Sequence, residues 1–243
     1  MATLSERDKE LSLIQHLDEL RRRLTAAAIA VALTTAVSFA FAEQIIRLLL
    51  IPTGIARCVA LSPTENFTTF MRVSLFAGIA FSMPVILYEI YMYIDPALHR
   101  HERRFVLTLG PFVLALFVGG MAFCYFVLLP NALSFLLNFG GTVIENQLRC
   151  GEYLSFVTTF ILGLGIVFET PAVIFLLVRV GVVKRSWLAK QRRYVFLLVF
   201  VVGAIITPTP DPFNQSLVAL PMYLLFELGL LLARFAEGSR RAA

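Results

Sequence analysis

Charged residues are scarce in this 243-residue chain: only 15% are Asp, Glu, Lys or Arg, whereas 58% are hydrophobic and 22 are Phe. Such a composition, with a mean hydropathy of +0.81, excludes a water-soluble domain and predicts a polytopic membrane protein. The sequence also lacks an H-E-x-x-H motif, a G-x-S-x-G motif and a P-loop, so no enzyme class is indicated. Internal repeats are missing too, which gives no support to the repeat-built plan of many transporters.

Six apolar segments alternate with polar connections: 24–42, 73–88 (extended backwards by 67–71), 105–129, 153–178, 194–206 and 217–233. We predict an all-α fold with six transmembrane helices. The fifth and sixth would span only about 20 and 26 Å at the helical rise, against a hydrocarbon core of roughly 30 Å. Flanking residues could lengthen both helices, and the sequence does not decide between these alternatives.

Proline interrupts four of the six predicted helices, at Pro84, Pro111, Pro171 and Pro221. Each proline removes one backbone hydrogen bond and favours a kink. Since kinked helices can enclose a concave face, we expect a concave bundle.

Positive charge is distributed unevenly along the chain. All but four of the 21 Lys and Arg lie in the N-terminal tail, the second and fourth connections, and the C-terminal tail. The positive-inside rule therefore predicts that both termini are cytoplasmic. We expect one transmembrane domain over 1–243, with a cytoplasmic amphipathic tail (1–23), a helix bundle (24–233) and a cytoplasmic tail (234–243). The net charge of +5 then reflects topology and contact with membrane lipids, and no basic stripe indicates nucleic-acid binding.

Glu169 lies inside the apolar segment 153–178, with Pro171 two residues further on. An ionisable side chain at this depth is costly and usually functional. On a helix its i−4 neighbour is Gly165, whose missing side chain would leave room for another helix or a polar guest. The partner of Glu169 is then expected to be another protein group, trapped water or a bound guest. The alternative is a structural pair, in which a protonated carboxyl donates to a backbone carbonyl that Pro171 leaves free.

Potential metal ligands are few, with three His and three Cys. His99 and His101 lie in a basic loop without a neighbouring cluster of Cys or carboxylates, which is typical of solvated surface histidines. No metal or other cofactor is expected. Cys58 and Cys150 fall in two predicted extracytoplasmic loops, where an oxidising exterior would allow a disulfide. The sequence leaves their pairing open, because it cannot supply the distance between their Cα atoms.

Two stretches on the predicted cytoplasmic side carry the remaining candidate chemistry. Within 12–24, leucines at helical spacing and the i,i+4 pairs of Asp18 with Arg22 and Glu19 with Arg23 predict an amphipathic helix at the membrane surface. Within 88–104, carboxylates are interleaved with tyrosines: Glu89, Asp95, Glu102, Tyr88, Tyr91 and Tyr93. Carboxylates can bind a guanidinium bidentately and tyrosine faces can stack on it, so the second stretch suits an arginine ligand. Alternatively, Glu102 only pairs with the arginines beside it.

Several sequence blocks, in order and over nearly the whole chain, resemble the signature blocks of the TatC family of twin-arginine protein translocases. They are 16–21, 62–67, Pro84, 96–103, 168–171 and 207–215. Two departures are visible: Tyr91 and Tyr93 stand where the family commonly has Trp and Phe, and one extra residue separates Pro208 from Asp211.

The resemblance implies a receptor that binds twin-arginine signal peptides of folded precursors at the cytoplasmic face. It further implies export powered by the protonmotive force, in a multimeric complex with single-span subunits of the TatA and TatB type, in the cytoplasmic (inner) membrane of a prokaryote. By position, Glu102 would bind the arginine pair, while Glu19 and Arg21 would line the recognition surface with Glu89, Tyr93 and Asp95.

The resemblance also assigns roles away from the recognition surface. Glu169, beside Gly165 and Pro171, would contact a partner helix or the inserted signal peptide. The structural or loop residues would be Pro84, Pro96, Asp211 and Gln215, with Asp211 either capping the sixth span or making a contact.

Two rival functions remain open. A proton-coupled transporter would also use Glu169 and would need a second ionisable group facing it, for which Glu227 is the only candidate. A membrane adaptor without a transport role would bind partner proteins but not precursors.

Overall fold

The computed structural model describes residues 13–54, 58–94, 100–139, 147–207 and 211–241, and their side chains except at 13–15, 100–109 and 235–241. These residues form ten α-helices: α1 Leu13–Ala40, α2 Ala42–Leu50, α3 Pro63–Ile94, α4 Arg100–Phe123, α5 Leu129–Asn138, α6 Cys150–Phe168, α7 Thr170–Val180, α8 Arg185–Lys190, α9 Arg192–Ile206 and α10 Pro212–Arg241. Within the described ranges the only extended pairing is a bridge between Val59 and Arg149. The all-α prediction is confirmed.

Five helical stretches are long and apolar enough to cross a membrane: His16–Ala40, Pro63–Ile94, Gly110–Asn138, Cys150–Val180 and Pro212–Arg234. The predicted fifth span corresponds to α9, which has only 15 residues. Its length is about 22 Å at the helical rise, so a sixth crossing depends on this short helix. The expectation of a short sixth span is wrong, because flanking residues extend that apolar stretch to 23 residues.

The N-terminal surface helix is not a separate element. It runs directly into the first apolar segment as the 28-residue helix α1. The chain has neither Gly nor Pro between 13 and 40, so nothing in this stretch terminates a helix once it has begun.

Only one of the four prolines marks a break between helices. Pro84, Pro111 and Pro221 lie inside α3, α4 and α10, each of which runs on past its proline. Pro171 lies in the first turn of α7, and Glu169 is the residue between α6 and α7. The prediction of an interruption therefore holds at Pro171, the position next to the intramembrane carboxyl group.

Apolar side chains from α2, α3, α5, α6, α9 and α10 form one main core, in which Phe160 and Leu164 are fully buried. A smaller core between α7 and α10 contains Ile174, Phe226 and Leu230. Many large hydrophobic side chains point outward instead, including Leu33, Phe81, Phe126 and Leu197. An outer surface of this kind is suited to contact with lipid chains.

Helices α1 and α3 approach each other closely at Gly78. A Cβ atom added there would lie 2.7 Å from the Cα atom of Thr35. The hydroxyl of Thr34 donates a hydrogen bond to the Gly78 carbonyl at 2.8 Å. This close contact holds α1 against α3 near the middle of α3.

Candidate functional site

One face of α1 meets one face of α3 at the predicted cytoplasmic end of the bundle. His16, Glu19 and Arg23 share a face of α1, while Glu89 and Tyr93 lie one turn apart on α3. The Nη1 atom of Arg23 donates to Glu89 Oε2 at 3.1 Å, and its Nη2 atom donates to Glu19 Oε1 at 3.3 Å. We call Glu19, Arg23 and Glu89 the Arg23 cluster.

The Arg23 cluster is partly shielded from water. The side chains of Arg23 and Glu19 are each 22% exposed and that of Glu89 is 14% exposed. The Nε atom of Arg23 is buried without a hydrogen-bond partner among the described residues. Because the local dielectric is lower than in bulk water, charge interactions here are stronger than those of fully exposed pairs.

His16 and Tyr93 lie beside this cluster and contact each other. The Tyr93 hydroxyl lies 2.6 Å from His16 Nε2, and the two rings stack with their centroids 4.6 Å apart. Sequence reasoning offered Tyr93 as a stacking partner for a bound guanidinium, but its ring packs on His16. No role of its own is assigned to His16 from the sequence; its i,i+3,i+7 spacing with Glu19 and Arg23 is the signal that places it on this face.

Other predicted recognition residues do not join the cluster. The Arg21 side chain is exposed, and the Thr25 hydroxyl donates to its backbone carbonyl at 2.7 Å. Asp95 and Pro96 lie outside the described residues. Glu102 belongs to the first turn of α4, but its side chain is also outside the described part of the chain.

Glu169 is held between α6 and α7 with only 7% of its surface exposed. Its backbone carbonyl accepts from the Val173 N–H at 2.9 Å, which begins the new helix after Pro171. Neither carboxyl oxygen has a hydrogen-bond partner among the residues described. The hydrogen bond of the structural alternative, from the carboxyl group to a freed carbonyl, is therefore not formed.

The space beside Gly165 is already filled. A Cβ atom at this position would lie 2.8 Å from Phe117 Cε2 and 2.9 Å from Met121 Cγ, both on α4. The expectation that Gly165 leaves room for a partner helix is wrong, because the missing side chain admits the chain's own aromatic residue.

The side chain of Glu227 contacts residues other than Glu169. Arg192 Nε and Nη2 donate to its two carboxylate oxygens at 2.7 and 2.8 Å, and the Tyr223 hydroxyl donates at 3.2 Å. This bidentate contact raises the pKa of Arg192 above its usual value. A proton-coupled transporter would need a second ionisable group opposite Glu169. Glu227, the candidate for that group, is instead paired with Arg192, in a contact between α9 and α10.

At the opposite end of the bundle, which is predicted to be extracytoplasmic, two loops are joined to each other. Cys58 and Cys150 form a disulfide with their Cα atoms 5.0 Å apart, joining positions separated by 92 residues. Beside it, the Val59 N–H donates to the Leu148 carbonyl at 2.9 Å, and the Cys150 N–H donates to the Val59 carbonyl at 3.0 Å. The two cysteines that the sequence left unassigned are thus joined.

Glu65, at the start of α3, makes further contacts with these two loops. Its carboxylate accepts from the backbone N–H of Leu61 at 2.9 Å and from that of Gly151 at 2.8 Å. Arg149 Nε also donates to both oxygens at 3.2 Å, and this contact raises the pKa of Arg149. Together with Arg72, these residues line a cleft of about 730 Å³. The sequence contained only weak signals for this site, since the ion pair joins residues 84 apart.

Asp211 and Gln215 organise the start of α10. The Asn214 N–H donates to Asp211 Oδ1 at 2.7 Å, and Pro212 takes the first helical position, so Asp211 acts as the N-cap. Gln215 Nε2 donates to the Phe200 carbonyl on α9 at 2.9 Å. Asp211 therefore caps α10, and Gln215 positions the short helix α9 against it.

A family model described as "Sec-independent protein translocase protein (TatC)" matches residues 15–221. The chain belongs to the TatC family. A "Sec-independent protein translocase protein TatC" from Escherichia coli (strain K12) is 39% identical, covering 94% of this chain and 90% of that protein. A protein of the same name from Carboxydothermus hydrogenoformans is 33% identical, covering 95% and 96% respectively.

The fold matches a solved member of the TatC family as well. A crystal structure described as "Twin Arginine Translocase Receptor- TatC" superposes with a TM-score of 0.82 at 37% identity, covering 91% of this chain and 99% of that one. The resemblance drawn from the sequence blocks is thereby confirmed. The chain is a multi-pass membrane protein of the Tat system, and the expectation of a protein-transport component in place of an enzyme agrees with this family.

Proposed function

We propose that this protein is the receptor that binds twin-arginine signal peptides of folded precursors at the cytoplasmic face of the inner membrane. Both termini lie in the cytoplasm, in keeping with the uneven distribution of Lys and Arg. Single-span subunits of the TatA and TatB type assemble with it into a multimeric complex that uses the protonmotive force. Support comes from family membership and from the solved relative described as a receptor.

The observation that carries the proposal is the Arg23 cluster. Carboxylates from two different helices converge on one guanidinium in a partly shielded site. This arrangement is suited to recognising arginine, because a planar guanidinium has several donors in fixed directions whereas an ammonium is a single point charge. The family resemblance makes Glu102, in the first turn of α4, a further candidate for this recognition.

Peptide binding tests the proposal directly. The detergent-purified protein would be titrated with a signal peptide bearing paired arginines and with the same peptide bearing paired lysines. We expect selective binding of the arginine peptide, and loss of that selectivity in Glu102→Gln and Glu89→Gln. Glu43→Gln is the matched control, because Glu43 lies on α2 at the other end of α1 and its side chain is 65% exposed.

Each outcome has a definite reading. Equal binding of both peptides by the wild-type protein would contradict the receptor function. Selectivity that survives both Glu102→Gln and Glu89→Gln would move the recognition site elsewhere. A protein that binds single-span subunits but neither peptide would be the membrane adaptor.

We further propose that Glu169 is the polar contact for a partner transmembrane helix or an inserted signal peptide. A buried carboxyl group with two unpartnered oxygens is costly, and a polar side chain from a neighbouring helix would satisfy it. Glu169→Ala should then reduce co-purification of the single-span subunits, while Glu169→Gln should retain it.

A buried residue of α6, the helix that ends just before Glu169, provides the control for this test. Thr158 is 6% exposed, and its hydroxyl donates to the Leu154 carbonyl of α6 itself at 2.6 Å. Thr158→Ala should therefore leave co-purification unchanged. Normal assembly of Glu169→Ala would contradict the contact role.

A further inference from the structure

Two of the carboxylates proposed to receive a peptide arginine already hold an arginine of this chain. Arg23 lies between Glu19 and Glu89 and makes one hydrogen bond to each. A peptide guanidinium that uses the same oxygens must therefore compete with the Arg23 side chain.

We propose that Arg23 is an internal ligand of the recognition site, which the arginine of an incoming signal peptide displaces. This inference rests on the proposed receptor function and adds to it a residue that sets the affinity of the site. In the empty receptor, Arg23 stays paired with the two carboxylates. A peptide binds only if its own contacts with these carboxylates are stronger than those of Arg23.

The geometry of Arg23 suits a displaceable ligand. Its two contacts, at 3.1 and 3.3 Å, are single hydrogen bonds to separate carboxylates. Arg192, in contrast, binds both oxygens of Glu227 at 2.7 and 2.8 Å. Shorter, parallel bonds to one carboxylate are the stronger arrangement, so Arg23 is the more weakly held of the two arginines.

Arg23 also has a route out of the cluster. Its side chain is 22% exposed, and its long aliphatic stem can carry the guanidinium into water without moving the helix backbone. The Nε donor, which has no partner among the described residues, would gain a water molecule on leaving.

Displacement sets how strongly any peptide must bind, while the carboxylates themselves distinguish arginine from lysine. A peptide guanidinium can replace both hydrogen bonds of Arg23 at once, because its donors diverge from a planar group. A peptide ammonium offers one point charge and replaces them less completely. Since either peptide must remove Arg23 first, the internal arginine weakens the binding of both by the same factor.

Binding kinetics of a labelled paired-arginine peptide to the full-length protein in detergent test this inference. We expect Arg23→Gln to bind the peptide roughly fivefold more tightly, the size of effect expected when two partly exposed ion pairs no longer compete. The gain should fall mainly on the association rate, because the carboxylates no longer have to be vacated. Selectivity over the paired-lysine peptide should stay unchanged, because the cost of displacing Arg23 is common to both peptides.

Arg22→Gln is the matched control. Arg22 is the neighbouring residue on α1, is exposed, and shows no ion pair within the part of the chain that the structure describes. Its substitution removes the same charge from the same helix, so it reports the general loss of repulsion toward a cationic peptide. We expect it to change the affinity by no more than about twofold, since exposed charges interact weakly.

Arg23→Lys keeps the charge and provides a second variant should Arg23→Gln fold poorly. Lysine cannot bridge both carboxylates with a planar fork, so peptide affinity should rise, by less than in Arg23→Gln. Unchanged or weaker binding by a folded Arg23 variant would overturn the internal-ligand role while leaving the receptor function intact. If neither the wild-type protein nor any Arg23 variant binds the arginine peptide selectively, both proposals fail.

Discussion

Replacing Gly78 with alanine tests whether the close approach of α1 and α3 stabilises the protein. The added Cβ atom would lie 2.7 Å from Thr35 Cα and 2.8 Å from Thr35 N, both backbone atoms of α1. Ordinary carbon contacts need about 3.5–4.0 Å, so the two helices would have to separate by about 1 Å. The hydrogen bond from the Thr34 hydroxyl to the Gly78 carbonyl would lengthen with them.

Two opposing effects decide the sign of this change. Alanine favours a helix interior over glycine by up to about 1 kcal/mol. Overpacking a close contact costs typically about 1–3 kcal/mol, and here the backbone of Thr35 cannot turn aside. We therefore expect Gly78→Ala to lower the free energy of unfolding by about 1–2 kcal/mol, equivalent to a decrease of roughly 2–8 °C in the thermal midpoint.

Thermal unfolding of the detergent-purified variants measures this effect. Gly119→Ala is the matched control, because Gly119 is interior to α4 and a Cβ atom there would have nothing within 4 Å. It should match or exceed the wild-type midpoint through helix propensity alone. Adding Thr35→Ala to Gly78→Ala should not restore stability, since the conflict involves the Thr35 backbone. A Gly78→Ala midpoint equal to that of Gly119→Ala would refute the reasoning.

Three further changes have predictable effects on the thermal midpoint. Cys58→Ser should lower the midpoint and abolish its response to reductant, because it removes a link across 92 residues; a wild-type midpoint insensitive to reductant would contradict this. Glu65→Ala should destabilise more than Glu43→Ala, since only Glu65 accepts from two backbone N–H groups, and equal midpoints would argue against that role. Arg192→Lys should lower the midpoint, because lysine cannot reproduce the bidentate contact with Glu227; a wild-type midpoint would count against that contact.

Local patterns in the sequence predicted most of the helices. The apolar segment 194–206 lies within α9, whose bounds differ from it by only two residues at one end. The N-cap of α10 was also readable, since Asp211 followed by Pro212 is a local signal. The sequence reasoning missed α2, because this short amphipathic helix follows the first apolar segment without a visible boundary.

Contacts between distant helices were not predictable in the same way. The sequence predicted the pair of Glu19 with Arg23, which are four residues apart, but not the pair of Arg23 with Glu89, which are 66 apart. A contact of the second kind depends on the rotation and crossing of two helices, which hydropathy does not determine. The prediction of free space beside Gly165 was wrong for the same reason, because the position of α4 decides what fills that space.

The two carboxylate clusters are built differently at the two ends of the bundle. Glu65 accepts from two backbone N–H groups as well as from Arg149, so no incoming cation could take over its contacts without unfolding the loops. Glu19 and Glu89 are bound to Arg23 through side chains alone. Because side-chain contacts can be exchanged while the helices stay in place, the second of these two clusters is the better suited to admit a cationic ligand. The same chemistry, a carboxylate with a guanidinium, thus joins loops to the backbone at one end and is proposed to form an exchangeable site at the other.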